Sequence, residues 1–239
     1  MKTVLFVAAA ASAVVASADA GFLGFVASSR TVGAYTVVDV FAGVQNASDK
    51  FLNVYNTTSN GTFYQAAGLA NKTWKPDAAN FNSTRTSIDS FMTAGTYSGG
   101  AYGGVYYAST NTNGDPNFTG TSWNASPASA AATTIPALAG WYTGDPTSVD
   151  NSTESLAGLV GRTNGTGAAG ANFGIWCAHL VLTGTKVIGT DFTFSAFASI
   201  KDGVTGGTSQ ASSSFAAVPA PGAIALLGLA GLASRRRRA

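Results

Sequence analysis

The chain has 239 residues and a formal net charge of +2; 46% of its residues are hydrophobic, 11% aromatic and only 10% charged. This composition excludes an intrinsically disordered chain, which needs low hydrophobicity and high net charge. Because Cys177 is the single cysteine, an intramolecular disulfide is also excluded, and the fold must depend on an ordinary hydrophobic core.

The first 20 residues have the three parts of a secretory signal peptide. Lys2 supplies the positive charge, residues 4–15 form the apolar stretch, and Ala18 and Ala20 stand at the −3 and −1 positions of an A-x-A cleavage site before Gly21. The sequence therefore predicts a cleaved signal helix over residues 1–20 and a mature, exported chain that begins at Gly21.

Residues 21–204 are predicted to form an all-β body. Runs of β-branched and aromatic residues bounded by Gly, Asn or Ser occupy 35–41, 51–55 and 104–107. Residues 173–182 and 186–194 read as two more strands, and the three residues between them include Gly184, which predicts a hairpin. Short strands joined by polar, glycine-rich loops favour a β-sandwich, with a jelly roll or a barrel as the alternative.

Two weaker patterns complete the body. Asn151-Ser-Thr-Glu154 precedes Leu156 and Leu159, a pattern that predicts one short capped helix. Residues 205–217 are rich in Gly, Ser and Thr, and they are predicted to be a flexible spacer between the body and the C-terminal segment.

Residues 218–239 combine a proline motif, a short apolar run and four arginines. The run 222–234 would measure about 20 Å as a helix, short of the roughly 30 Å core of a bilayer, so it predicts a weak single membrane span. Arg235, Arg236, Arg237 and Arg238 fit a positive-inside stop to translocation. Pro219 and Pro221 break the helix outside the membrane and leave an accessible peptide.

The motif Val218-Pro219-Ala220-Pro221-Gly222, the apolar run and the terminal arginines together resemble the PEP-CTERM sorting signal of Gram-negative bacteria, in a form similar to those of planctomycete-type proteomes. The resemblance implies that a membrane enzyme, exosortase, cuts near the prolines and releases or transfers the protein outside the cell. Ala220 stands where the namesake motif has Glu, a departure that bears on the subtype of processing enzyme.

Without its two ends the chain is not basic. Removing Lys2, Asp19 and the four arginines from the 13 basic and 11 acidic residues leaves 8 and 10. Because the rest of the chain has no basic patch, the four arginines alone do not support nucleic-acid binding as the function.

No pattern in the body predicts a cofactor or a metal. Residues 165–170 match G-x-G-x-x-G, but a strand-like run follows where a dinucleotide site needs a helix, so the match is attributed to chance. His179, the only histidine, would share a strand face with Cys177, and both are predicted to be packed core residues. A nucleophilic pair fails because side chains two apart on one face project in parallel, and zinc needs more ligands than these.

Glycoside hydrolysis would need two carboxyl groups about 5–10 Å apart. Most of the acids stand in turn-like settings such as Asp-Pro, which favours structural roles, and residues 111–115 lack the charge of a calcium loop. The candidate acids are Asp39, Asp77, Asp89, Asp115, Asp145, Asp150, Glu154, Asp191 and Asp202.

Glycosylation sequons are dense, since 9 of the 14 asparagines begin an N-x-S/T triplet. They indicate either a polar surface rich in Asn and Thr, or loops that carry glycans or contact polysaccharide. Trp74, Trp123 and Trp141 are candidates for stacking on sugar rings. The sequons begin at Asn46, Asn56, Asn60, Asn71, Asn82, Asn117, Asn124, Asn151 and Asn164.

These features predict an exported, non-enzymatic protein of the cell surface or extracellular matrix, anchored transiently in the inner membrane. The expected partners are an exosortase-type enzyme and exopolysaccharide. The alternatives are a secreted glycan-active hydrolase, which two acids in an aromatic cleft would favour, and a carbohydrate-binding module, which a shallow aromatic platform would favour.

Overall fold

The computed structural model describes residues 21–66, 74, 84–95, 133–135, 137–143, 146–147 and 151–215. In these residues the chain forms antiparallel β-sheets, which confirms the all-β prediction. Strands predicted at 35–41, 51–55 and 173–182 are present, and each is longer than its sequence pattern indicated. The predicted signal peptide at 1–20, the predicted strand at 104–107 and the predicted sorting signal at 218–239 lie outside the described residues.

The described strands form two sheets. Sheet A has six strands in the order β4-β8-β2-β1-β7, with β6 also paired to β8, and sheet B has four in the order β10-β9-β3-β5. The strands are β1 Gly24–Val32, β2 Tyr35–Val44, β3 Lys50–Ser59, β4 Phe91–Met92, β5 Ala139–Tyr142, β6 Glu154–Ser155, β7 Arg162–Asn164, β8 Phe173–Thr183, β9 Phe194–Lys201 and β10 Thr208–Phe215.

One hydrophobic core includes alternate residues of both sheets, as the two-residue period of a strand requires. Val38 and Val40 of β2 belong to it, together with Val54 of β3 and Ala198 of β9. Phe41 of β2 points the other way, into a second cluster on the outer face of sheet A. Sheet A is therefore covered on both faces along β2, which explains why nine consecutive residues of this strand are buried.

The strand β10 corrects the predicted spacer. Residues 205–217 were expected to be flexible, but Thr208–Phe215 pairs with β9 along its whole length. Two serine hydroxyls of β10 accept backbone N–H groups from the start of the body: Ser209 from Phe22 and Ser213 from Phe25, both at 3.0 Å. The spacer prediction is therefore wrong for β10, and the two-sheet body extends to Phe215.

The predicted hairpin between 173–182 and 186–194 is also wrong, because β8 belongs to sheet A and β9 to sheet B. Gly184 has a φ of 79° and its N–H donates to Ala34 O, so the chain leaves sheet A here. A tight turn follows, in which Asp191 donates its N–H to Val187 O and accepts the Val187 N–H on Oδ2. The connection crosses between the sheets, and regular β9 begins only at Phe194.

The short helix predicted after Asn151 does not form, since Glu154–Ser155 is a strand that pairs with β8. Asn151 instead binds the backbone of Phe51, donating through Nδ2 to its O at 2.7 Å and accepting its N–H on Oδ1 at 2.9 Å. The capping residue of the sequence pattern is thus a buried link between its own loop and strand β3. Within the described part of the chain, no helix has the length and apolarity needed to cross a membrane.

Candidate functional site

A β-bulge in β8 separates Cys177 from His179. Val40 pairs with Ala178 and Phe41 with Trp176, so Cys177 is an extra residue without a partner on β2. An extra residue shifts the alternation of side chains beyond it. Cys177 points into the core between the sheets, whereas His179 stacks on Phe91 in the cluster outside sheet A. The prediction that both share one face of the strand is therefore wrong.

Asp39 is the centre of a buried polar group on the outer face of sheet A. Its Oδ1 lies 2.7 Å from His179 Nδ1, its cross-strand partner on β8, and its Oδ2 lies 2.6 Å from Arg30 Nη1. Burial raises the pKa of Asp39, but the His179 ring and then the Arg30 guanidinium outweigh it, so the pKa lies below its ordinary value. Asp39 is therefore an ionised carboxylate held between two cationic or hydrogen-bond-donating groups.

The other nitrogen of His179 faces the segment before β4. His179 Nε2 lies 3.0 Å from the Ser87 carbonyl oxygen and 3.2 Å from Ser87 Oγ. The ring is fully buried and stacks on Phe91, with centroids 4.8 Å apart and an interplanar angle of 18°. The Ser87 carbonyl can only accept a hydrogen bond, whereas Ser87 Oγ can donate or accept one. His179 therefore links the segment that contains Ser87 to Asp39 of β2 in sheet A.

A second ion pair covers the same face. Arg85 Nη2 contacts Glu154 Oε1, and the Arg85 guanidinium carbon lies 5.1 Å from the ring centroid of Phe41 and 4.6 Å from that of Trp176. Burial raises the pKa of Glu154, and Arg85 offsets part of this effect. The Arg85 guanidinium therefore covers the aromatic rings and balances the charge of the Glu154 carboxylate.

The contacts of Ser87, His179 and Asp39 follow the order of a nucleophile, a base and an orienting acid. A general base needs a free lone pair aimed at the hydroxyl, but Nε2 here also faces the Ser87 carbonyl. The described carboxylates likewise have structural partners, with Arg85 on Glu154 and backbone N–H groups of Val204 and Thr205 on Asp202 Oδ1. The side chains on this face bind one another and the backbone, a geometry typical of structural contacts rather than of an exposed reactive group.

The remaining candidate acids divide between turns and undescribed segments. Asp89 Oδ1 accepts the Ala66 N–H, and Asp191 closes the turn before β9. Asp49, which was not a candidate, accepts N–H groups of Gly203 and Asn46 and is fully buried. Asp77, Asp115, Asp145 and Asp150, and with them residues 111–115, lie outside the described residues.

Neither dinucleotide nor metal chemistry has a framework in the described residues. A 3₁₀ turn over Ala168–Gly170, and no longer helix, follows Gly165. Gly167 has a φ of 85°, and a Cβ on it would lie 2.4 Å from Leu23 O, so it is a close-packed turn residue. In the described ranges no group of three or more His, Cys, Asp or Glu side chains could hold a metal ion.

The outer face of sheet B carries an aromatic pair. Tyr55 of β3 and Phe197 of β9 are cross-strand neighbours whose rings stack with centroids 5.3 Å apart and an interplanar angle of 25°. Tyr55 Oη donates to Gln210 Oε1 at 3.2 Å. Both rings are half-buried, so they form a shallow platform. By strand register the platform is flanked by the half-buried Asn53 and Ser195, the exposed Ser212 and the buried Ser199.

Two of the three tryptophans predicted to stack on sugar rings are buried and therefore not accessible to a sugar. Trp74 and Trp141 are fully buried in the core, and Trp123 lies outside the described residues. Tyr55 and Phe197 were missed because a strand pattern shows which residues alternate, but not which two strands pair. The signal that could have found Tyr55 is its alternation with Val54, which is buried.

Five of the sequons fall in described residues, and several have backbone roles. Asn56 has a φ of 54° at a bulge of β3, Asn60 Oδ1 accepts the Thr193 N–H, and Asn151 is fully buried. Asn164 is exposed and its Oδ1 accepts a hydrogen bond from Arg162. Asn46 is half-buried in the turn before β3. Part of the sequon density therefore reflects the use of Asn in turns and bulges.

No protein-family model matches the chain, and neither curated proteins nor solved structures yield a match.

Proposed function

We propose that this is an exported, non-enzymatic protein of the cell surface or extracellular matrix, whose body is a β-sandwich that holds polysaccharide on the outer face of sheet B. The observation that carries the proposal is the Tyr55–Phe197 pair, half-buried on that face and bordered by amides and hydroxyls. The sorting signal at 218–239 brings the protein there, and exosortase-type processing frees it from the membrane.

The chemistry of this face suits a sugar chain. Aromatic rings offer apolar area at a low cost in conformational entropy, and the C–H face of a sugar ring is apolar. The exposed Gln210 adds amide N–H donors and the exposed Ser212 adds a hydroxyl for sugar hydroxyls. The described acids on the other face are neutralised by Arg30 and Arg85, which favours binding over acid–base chemistry.

The arrangement of the chain ends supports sorting. Described strands begin at Gly24 and end at Phe215, and the proline motif begins three residues later, at Val218. Removal of residues 1–20 and 218–239 would therefore remove no described strand. The signal peptide and the sorting signal can therefore both be removed without loss of the hydrogen bonds between the described strands.

Affinity electrophoresis in gels that contain neutral or acidic polysaccharides tests the binding function. Tyr55→Ala and Phe197→Ala should each weaken retention about tenfold, the equivalent of one aromatic stacking contact. Tyr35→Ala is the matched control, because Tyr35 and Tyr64 form another half-buried aromatic pair, with centroids 4.9 Å apart. Equal retention of all three variants, each folded by its thermal melt, would refute binding at this face.

The mass of the protein recovered outside the cell tests the sorting function. We expect a chain that begins at Gly21 and lacks Arg235, Arg236, Arg237 and Arg238. Secreted protein that retains the four arginines would refute processing at the sorting signal. This measurement is independent of the binding experiment, so the two parts of the proposal can fail separately.

A further inference from the structure

Lys50 and Lys201 stand directly opposite each other on the antiparallel strands β3 and β9. They lie on the outer face of sheet B, because their inward neighbours Phe51 and Ile200 belong to the core. A surface pocket of about 300 Å³ opens beside them. Its lining residues include Ser48, Thr147, Asp202 and Gly203.

The two ammonium groups are not neutralised within the described part of the chain. Neither lysine forms an ion pair there, and Lys50 Nζ donates one hydrogen bond, to Asn151 O at 2.9 Å. Like charges directly opposite on a sheet destabilise it. Because the fold retains the two lysines despite their mutual repulsion, the pair is a candidate for binding an anion.

The neighbouring acids accept hydrogen bonds from backbone N–H groups and are buried. Asp202 lines the same pocket but is only 3% exposed, and its Oδ1 accepts the N–H groups of Val204 and Thr205. Asp49 is fully buried and is bound by Gly203 and Asn46. Lys201, by contrast, is exposed. Among the charged groups of the pocket, the one most open to solvent is thus the ammonium of Lys201, with the half-buried Lys50 beside it.

We propose that this pocket binds the carboxylate groups of an acidic polysaccharide, so that the protein selects uronate-containing chains over neutral ones. The inference rests on the proposed polysaccharide binding and adds the ligand's charge. Along β3, Lys50 and Tyr55 are five residues apart, or roughly 15 Å. A single extended chain therefore reaches both, with a sugar ring on the Tyr55–Phe197 pair and carboxylates on the lysines.

Binding of the full mature protein to polygalacturonate and to its methyl ester tests this inference, since the two polymers share a backbone and differ in charge. The wild type should bind polygalacturonate more tightly, with an affinity that falls as salt rises. Lys50→Gln/Lys201→Gln should lose about tenfold in affinity for polygalacturonate, the sum expected for two charge contacts at the surface, and should lose no affinity for the ester. Lys186→Gln, a change at another exposed lysine, is the matched control.

The outcomes separate this inference from the proposed function. Equal affinity for the two polymers, or full affinity of the double variant for polygalacturonate, overturns the selection of carboxylates and leaves polysaccharide binding in place. Absence of binding to both polymers refutes the proposed function and this inference with it. Lys201→Gln alone guards against misfolding, because Lys201 is exposed and should lose part of the affinity without a change in thermal melt.

Discussion

Cys177 and His179 are two residues apart on β8, yet their side chains lie on opposite faces of sheet A. Cys177 donates through Sγ to Val40 O in the core at 3.3 Å, while His179 joins Asp39 to Ser87 outside the sheet. The extra residue at Cys177 is what separates them. Substitutions at Cys177 and His179 are therefore expected to have different effects.

His179→Ala should destabilise the protein by about 2–3 kcal/mol, because the change leaves a buried carboxylate with Arg30 as its remaining partner and opens a cavity beside Phe91. Ser87→Ala keeps the carbonyl that faces Nε2 and should cost less than about 1 kcal/mol. Chemical denaturation measures both. If Ser87→Ala abolished a hydrolytic activity of the protein without altering its stability, the Ser87–His179–Asp39 group would be an active site and the structural role would be refuted.

Cys177 should not react with thiol reagents in the native protein, because it is fully buried and burial raises the pKa of its thiol. One thiol should appear on denaturation. Cys177→Ala should cost about 1–2 kcal/mol by removing a packed sulfur. Rapid labelling of the folded protein would contradict its position in the core.

Asp39 predicts how stability varies with pH. Its pKa is lower in the folded protein than in the unfolded chain, so the ionised carboxylate stabilises the fold above the unfolded value of about 3.9. This contribution is lost as the pH falls through the folded pKa. The stability difference between wild type and Asp39→Asn should therefore shrink as the pH falls below about 4.

Glu154 supplies the control for this pH series. Burial raises its pKa, so the folded state binds the proton more tightly and gains stability as the pH falls. The difference between wild type and Glu154→Gln should have the opposite slope to that of Asp39→Asn. Parallel slopes would show that a general effect of acid, and not these two carboxylates, controls the change.

Ser213 and Ser212 test the assignment of β10 to the body. Ser213 is buried, accepts the Phe25 N–H and donates to Thr166 O, whereas Ser212 is exposed. Ser213→Ala should cost about 1–3 kcal/mol by leaving buried backbone groups unsatisfied, and Ser212→Ala should be nearly neutral. If both were neutral in a thermal melt, residues 208–215 would be the spacer that composition suggests.

Asn151 and Asn164 begin two sequons in different environments. Asn151→Ala removes both hydrogen bonds to the Phe51 backbone and should cost about 2–3 kcal/mol, whereas Asn164→Ala, at an exposed position, should cost less than about 1 kcal/mol. When the protein is produced in a host that glycosylates Asn, glycopeptide mapping should find no glycan at Asn151 in folded material. A glycan there would contradict the buried link.

The strands were predictable where composition and period agree, as in β2 and β8, because branched and aromatic side chains fit a covered sheet. The strand β10 was not predictable, because its serine-rich composition is typical of a linker. Its serines have a structural role only through the N–H groups of Phe22 and Phe25, which are distant in the sequence. The bulge at Cys177 depends on the register of β2 against β8, which no local pattern contains. The lysine pair was hidden for the same reason, because Lys50 and Lys201 meet only when β3 pairs with β9.

The hydrogen bonds between the two ends of the body also determine when the protein can fold. Ser209 and Ser213 lie 187 and 188 residues beyond the groups whose N–H they accept. Contacts across such separations form late, because the loop entropy must be overcome before they contribute. The start of the body therefore lacks its hydrogen bonds to β10 until nearly the whole body has been synthesised. If the chain is exported as proposed, this late closure would keep it threadable during translocation until its last strand has emerged on the far side of the membrane.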